Sequence, residues 1–441
     1  MIPFVLKQQM EEDPDVVRGY EELWAYCMRL YGIYPKLLRK WYYFYGFYES
    51  GLHFLYSWYV ISYFISIALA VPYKNTALTS TLVCLGVTTV IYCAVGHNFI
   101  YRRELLDTLF RIVGQGFFKY ERPLTEKEKE ILNKADVQCK RNFFFCNSLG
   151  LALTFFQTVL GPVVHALQGK PLSTVVEGGV PINMNLSIPI YLPWDTSTPL
   201  LYWLTFFAMI HNGGTEAGII GAACAFYCNL CTKLNGQLAL LAYSLRDIEN
   251  RAKYRYALLG KEIKDNDQAY YDDQFFHDCM DYCLNENIKH HLVLINFYGL
   301  VQEAVGLSIF GVFSGTALLV SPPMFQFASL VEEGDIPELL ATGLLFAYII
   351  VSQLSILAEY CINGQQLTNS SDELNFAFYD LQWINTKRSF KQKLLICQAN
   401  TMKPMILWAK GLFSASNSTL MDILKTTFSY ANLLMASEIK E

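Results

Sequence analysis

Charged side chains are scarce in this sequence, at 17% of its residues, and positive charge is nearly missing from every second connecting segment. Lys74, Lys170 and Lys440 are the only basic residues there. Cysteine is missing from 71–78, 167–198 and 320–337, so those segments cannot close a disulfide, although the chain has 12 cysteines. Residues 1–22 lack a long apolar run and are rich in acids, so no cleavable signal peptide is expected. HExxH, GxSxG, a Walker lysine and GxGxxG are all absent, and no nucleophile is paired with a histidine at a meaningful spacing, so no enzyme is expected. No basic arm suits nucleic acid. Cys279 and Cys283 share a helix face near His277 and His290, but four ligands at an established spacing are lacking, so no metal and no cofactor is expected. Internal repeats and low-complexity tracts are also missing.

Long apolar runs are what the chain has. Seven fall at about 53–72, 77–98, 143–167, 199–231, 291–320, 338–361 and 412–436, and hydrophobic residues make up 53% of the whole. The stretch 339–358 contains no charge, which a soluble core helix of that length rarely manages. An all-α polytopic membrane protein with seven transmembrane helices follows, with negligible strand because an open sheet cannot satisfy its backbone in lipid. The segments 1–52, 99–142, 232–290 and 362–404 carry 6, 10, 8 and 5 Lys and Arg. Basic connectors stay in the cytoplasm, so the N-terminus is expected inside and the C-terminus outside.

The connectors are expected to be structured. Trp24, Met28 and Tyr31 are spaced for one face of an amphipathic helix lying at the membrane and ended near Pro35, followed by an interfacial aromatic belt at 41–48. Residues 99–111 read as a continuation of the second span. Pro123–Leu124–Thr125 and the acids after it read as a helix start. Residues 232–258 show apolar spacing of 3–4, so long spans extend into a cytoplasmic helical layer. The outer segment 167–198, with five prolines counting Pro199, reads as an irregular lid and holds a glycosylation acceptor pattern at Asn185.

Two candidate sites emerge. The outer halves of spans two, three, four and six supply Thr81, Cys84, Leu85 and Thr88; Thr154, Phe155, Gln157 and Thr158; Tyr202, Phe206, Met209 and Ile210; and Phe346, Tyr348 and Ile349. This apolar and aromatic set with a few hydroxyls suits a pocket for a small volatile ligand, with ordinary interhelical packing as the competing reading. In the last span Ser418, Asp422, Lys425, Ser429 and Asn432 recur at 3–4 spacing, a polar stripe of the kind that lines water, with the apolar Leu433 beyond it. One stripe cannot enclose a conduit, so a pore requires several subunits. Pro404 and Gly411 divide the seventh helix into a cytoplasmic piece (about 387–409) and a membrane piece (about 415–436). His211, Glu216 and Glu303, also within spans, must face protein or water.

The C-terminal third resembles the insect odorant receptors. The residues that carry it are Tyr379 and Trp383, the basic Lys387–Arg388, Lys403–Pro404 and the terminal Ser429–Tyr430, with YLPWDTSTPLLYW (191–203) leading into span four. The resemblance implies a tetrameric, odorant-gated, nonselective channel for monovalent and divalent cations. It implies assembly with a shared co-receptor subunit, adhesion through a cytoplasmic anchor that includes Tyr379 and Trp383, and residence in the plasma membrane of an olfactory neuron dendrite. The pore would be lined by Asp422, Lys425, Ser429, Leu433 and Ser437, with a gate at Leu433 and Ser437. Ser437 is polar where the co-receptor carries leucine, which implies a tuning subunit whose partner completes the gate. The implied division is an N-terminal cytoplasmic region (1–52), an odorant-binding bundle (53–361), an anchor (362–410) and a pore helix (411–441). A gustatory receptor subunit is the near alternative. A G-protein-coupled receptor would need the opposite orientation, and a transporter would need inverted repeats.

Overall fold

The computed structural model describes residues 13–32, 42–73, 76–160, 163, 182–183, 186–264, 266–334 and 343–438. Asn185 lies outside them, as do the side chains of Gln157 and Ser437. The order is α1 (Pro14–Glu22), α2 (Tyr26–Leu30), α3 (Tyr42–Ala70), α4 (Thr76–Tyr101), α5 (Arg103–Gly114), α6 (Glu126–Thr154), α7 (Pro199–Arg246), α8 (Ile248–Leu258), α9 (Asp267–Tyr271), α10 (Gln274–Glu333), α11 (Leu344–Asp380), α12 (Arg388–Thr401), a hairpin of β1 (Trp408–Ala409) and β2 (Phe413–Ser414), and α13 (Asn417–Glu438). The aromatic residues at 42–48 are already helical, as the first turns of α3.

Six of these helices, α3, α4, α6, α7, α10 and α11, are long and apolar enough to cross a membrane. The fold is that of a helical multi-span membrane protein. At 1.5 Å per residue, α7 runs about 70 Å and α10 about 90 Å, against a hydrocarbon core of about 30 Å. Each therefore continues far into the end of the molecule where the basic segments gather. The apolar window of α7 is wholly buried, whereas those of α3, α4 and α6 are only 24–33% buried. So α7 is the centre of the bundle, and the outer helices present their remaining apolar surface to lipid.

The basic end is held by buried polar chemistry. Thr125 caps α6: its hydroxyl accepts from Glu128 N at 3.3 Å, and the Glu128 carboxylate accepts from Thr125 N at 2.7 Å. Such a box contributes about 1 kcal/mol. Arg122 then bridges Glu128 at 3.0 Å and Asp247 at 2.8 Å, tying the start of α6 to the turn between α7 and α8. Nearby, buried Arg251 donates to Glu286 at 2.6 Å, to Asn287 at 2.7 Å and to Ser244 at 2.6 Å. Lys233 of α7 reaches Glu22 at 3.1 Å and Asp136 at 2.9 Å, fastening α1 to the core.

Several expectations need correction. Trp24, Met28 and Tyr31 do not share one helix, because Trp24 sits at φ 54° in the turn between α1 and α2. The pair packs on the bundle: Val16 and Tyr20 join Leu106 and Phe110 of α5 in the main core, and Leu23 O accepts from Asn229 at 2.8 Å. The second span ends at Tyr101, and α5 is a separate helix. The fifth span does not stop at 320 but passes Pro322 and Pro323 to reach Glu333. Strand among the described residues is confined to the short hairpin, in line with the negligible strand expected. The two histidines near Cys279 and Cys283 are committed elsewhere, His277 Nε2 to Tyr271 O at 2.8 Å and His290 between Tyr120 at 2.7 Å and Gln237 at 3.1 Å.

Truncating Glu286 to Ala leaves Arg251 buried and short of its counter-charge. We expect a loss of about 3–5 kcal/mol, read as a lowered thermal midpoint in detergent, while Lys129→Ala at an exposed pair leaves the midpoint unchanged. Asp273 caps α10, and the Tyr256 hydroxyl, the Phe275 N–H and Lys264 hold its carboxyl down at about 2. A depressed carboxylate contributes stability above its unfolded value of about 3.9 that is lost as pH falls through about 2. Asp273→Asn should remove that share of the acid dependence, measured as thermal midpoint against pH.

Candidate ligand pocket and water-facing helix

At the end of the bundle opposite the basic segments, a second apolar cluster forms apart from the main core. Tyr59 and Tyr63 of α3, Leu78 and Leu82 of α4, and Tyr202 and Met209 of α7 are buried together. The extended stretch before α7 closes over them with Leu186, Ile188 and Ile190. It is anchored by three bonds: Ser187 Oγ donates to Thr158 O at 2.7 Å, Tyr191 N to Ser66 Oγ at 2.7 Å, and Trp194 Nε1 to Thr205 at 3.0 Å. The described part of 167–198 is irregular and packed, as its prolines imply.

Of the residues singled out from sequence, Leu85, Tyr202 and Met209 belong to this cluster, and Phe206 stacks on Tyr202. Phe346 is buried, and Ile210 and Ile349 are half-buried. Thr81 approaches Gln326 of α10, with the Gln326 amide donating at 3.2 Å. Cys84 Sγ donates to Leu319 O of α10 at 3.7 Å. Thr88 and Thr158 donate to carbonyls of their own helices. Thr154 also reaches Gly213 O of α7 at 3.4 Å. Tyr348 donates to Leu149 O at 2.7 Å and stacks on Phe156. Phe155 is 50% exposed, where a π-helical turn over Phe155–Leu160 begins. The wider π turn shifts the register of the residues that follow it. Tyr59 and Tyr63 were missed, although Tyr56, Tyr59, Ser62, Tyr63 and Ser66 recur at 3–4 spacing in the first span. Below the cluster, buried Glu216 accepts from Asn212 at 3.0 Å and from Thr89 at 3.2 Å, an interhelical bond between α7 and α4. Arg102, in the turn between α4 and α5, pairs with Glu303 of α10, and His211 is exposed.

The last helix is oriented by the hairpin before it. Lys410 at φ 51° and Gly411 at φ 81° form the turn, closed by Leu412 N donating to Ala409 O. Gln302 of α10 clasps Trp408 through both N–H and C=O, at 2.7 and 2.8 Å. Gly364 of α11 lets the chain pass, since a Cβ there would lie 2.4 Å from Ala415 O. So placed, α13 buries Thr427 and Ala431 and leaves Ser418, Asp422, Lys425, Ser429 and Asn432 exposed. Among the described residues neither Asp422 nor Lys425 has an ion-pair partner. Leu433 is 66% exposed near the far end. Ser321 of α10 donates to Thr427 O at 3.2 Å. At the basic end, Tyr379 is 63% exposed, Phe376, Ile384, Leu395 and Ile396 are exposed as well, and Trp383 donates to Tyr379 O.

Residues 75–428 match the family described as 7tm Odorant receptor. The chain belongs to the 7tm odorant receptor family. Its curated relatives include Odorant receptor 2a of Drosophila melanogaster, 20% identical over 46% of this chain and 48% of that protein. Odorant receptor 85c of the same fly is 19% identical over 59% of each. The chain thus spans about half the length of these relatives. Among solved structures, the insect olfactory receptor OR5 from Machilis hrabei in complex with eugenol superposes with a TM-score of 0.74 at 12% identity, covering 96% of this chain and 100% of that one. At that identity the likeness is one of fold.

The exposed stripe has a direct test. Cysteines placed at Lys425 and Ser429 of this odorant receptor chain are expected to react with a water-soluble thiol reagent, and one at Thr427 to resist it. Equal labelling at all three positions contradicts the orientation of α13.

Proposed function

We propose that this chain is the odorant-tuning subunit of a heteromeric, ligand-gated, nonselective cation channel in a sensory plasma membrane, with its N-terminus in the cytoplasm. The observation that carries this reading is the division of labour between an apolar, aromatic cluster closed within the chain and a polar stripe turned away from it. The aromatic cluster at the loop end is closed within the chain, as a binding site for a small volatile should be. The stripe on α13 faces away from the chain's own bundle, with an unpaired carboxylate and ammonium that only water or neighbouring subunits can accommodate. The resemblance to insect odorant receptors and the match to the family support the same assignment.

Helix α10 connects the two. Leu319 O meets Cys84 at the base of the pocket, and two residues on, Ser321 bonds to α13 at Thr427 O. A ligand that spreads α4 from α7 shifts α10, and α10 carries α13 with it. Leu433 supplies one apolar member of a gate that closes by dewetting. Ser437 does not supply the next, so the co-receptor subunit completes the ring. The apolar surface around Tyr379 and Trp383 is the face on which subunits adhere.

Expression with a co-receptor subunit is expected to give odorant-evoked cation current, and expression alone to give little. A C-terminal tag should label on intact cells and an N-terminal tag should not. Ser321→Ala should keep surface expression and ligand binding while reducing the evoked current several-fold. A full response from the chain alone, or labelling of the N-terminus, overturns the assignment.

A further inference from the structure

Three thiols that this function does not use meet where α6, α7 and α11 come together. Cys146, Cys224 and Cys228 are all buried, and their sulfurs lie within 4.8 Å of one another. The Cys146 and Cys224 sulfurs are 3.4 Å apart. Cys224 and Cys228 are one turn apart on α7 and so share a face, while Cys146 comes from α6.

An oxygen donor completes the set from a third helix. Glu359 Oε2 of α11 lies 3.8 Å from Cys228 Sγ. Asn363 donates to that same oxygen at 2.9 Å and approaches Cys228 Sγ at 3.5 Å. Among the described residues Glu359 makes no ion pair, although the charge of Arg141 acts on it. A half-buried carboxylate beside three converging thiols is a group short of a cation.

The geometry points to a Zn²⁺ site with thiolates from Cys146, Cys224 and Cys228 and Glu359 as the fourth ligand. Zinc–sulfur bonds of about 2.3 Å at tetrahedral angles set sulfurs about 3.8 Å apart. The observed sulfur separations, from 3.4 Å to at most 4.8 Å, bracket that value. Three sulfurs with one oxygen suit Zn²⁺. Cu⁺ prefers sulfur alone, and Ca²⁺ and Mg²⁺ take oxygen. Binding displaces the thiol protons to solvent and changes no oxidation state. Asn363 orients the carboxylate, as outer-shell partners of metal ligands do. A bound ion clamps three helices together without touching the ligand cluster or the stripe on α13.

The test uses the full chain, purified in detergent and kept reduced. Elemental analysis after equilibration in buffered Zn²⁺ is expected to find one ion per chain, and added Zn²⁺ to raise the thermal midpoint. Both effects should vanish in the Cys146→Ser, Cys224→Ser, Cys228→Ser triple variant and persist in Cys93→Ser. Glu359→Gln should weaken Zn²⁺ binding at least about tenfold. Because the triple variant can fail to fold, Co²⁺ added to the wild-type chain provides an independent reading through its thiolate charge-transfer absorption. Lack of that absorption, equal Zn²⁺ retention by a folded triple variant, or uptake of Cu⁺ with Zn²⁺ excluded overturns the site. None of these readouts depends on an odorant response, so the channel assignment stands or falls separately.

Discussion

Everything in this bundle is arranged around a helix whose middle never meets lipid, while its outer turns still expose Leu200, Trp203, Leu204 and Phe207. The apolar window of α7 is buried along its whole length, so every backbone and side-chain polar group on it must find a protein partner. Its sequence shows how this is managed. Small residues between Gly213 and Ala225 admit close neighbours, while Asn212, Glu216 and Asn229 bond to named groups on themselves or other helices. The helices that surround α7 can then be ordinary amphipathic spans, one side on protein and one on lipid.

From that centre the two candidate regions separate naturally. Toward the loop end, α7 contributes Tyr202 and Met209 to a cluster sealed by an extended segment and by α3 and α4. Toward the basic end it lengthens into a layer locked by Arg122, Lys233 and Arg251. Helix α10 spans both levels and is the element on which α13 rests. Bonds from Cys84 to Leu319 O and from Ser321 to Thr427 O lie two residues apart on it. In the proposed channel, that spacing is what would carry a displacement at α4 to α13.

What could be read beforehand followed from local chemistry. The start of α6 was legible because Thr125 and Glu128 satisfy each other within four residues. The stripe on α13 was legible because a polar face at 3–4 spacing survives in any helical arrangement. Glu303 was expected to face protein or water, and it faces Arg102. The misses share a different origin. Tyr59 and Tyr63 lie in a span that reads as uniformly apolar, and only the closure of 186–190 over them makes them part of the second buried cluster. The π turn that begins at Phe155 was also not legible, because apolar spacing does not reveal it. The turn at Trp24 follows from docking on α5 and α7, which overrode the helical pattern through it.

The sequence by itself determined the number of long apolar runs, the sorting of basic residues onto alternate connectors, the polar face of the last helix and the family. These are properties of composition and of short-range periodicity, which hold whatever the neighbours are. Only the tertiary structure decided which helix is central, where α13 points and which thiols meet. Cys146 and Cys224 stand 78 residues apart in the chain and 3.4 Å apart in space. That proximity is set by how two helices cross, and no spacing rule along one helix contains it.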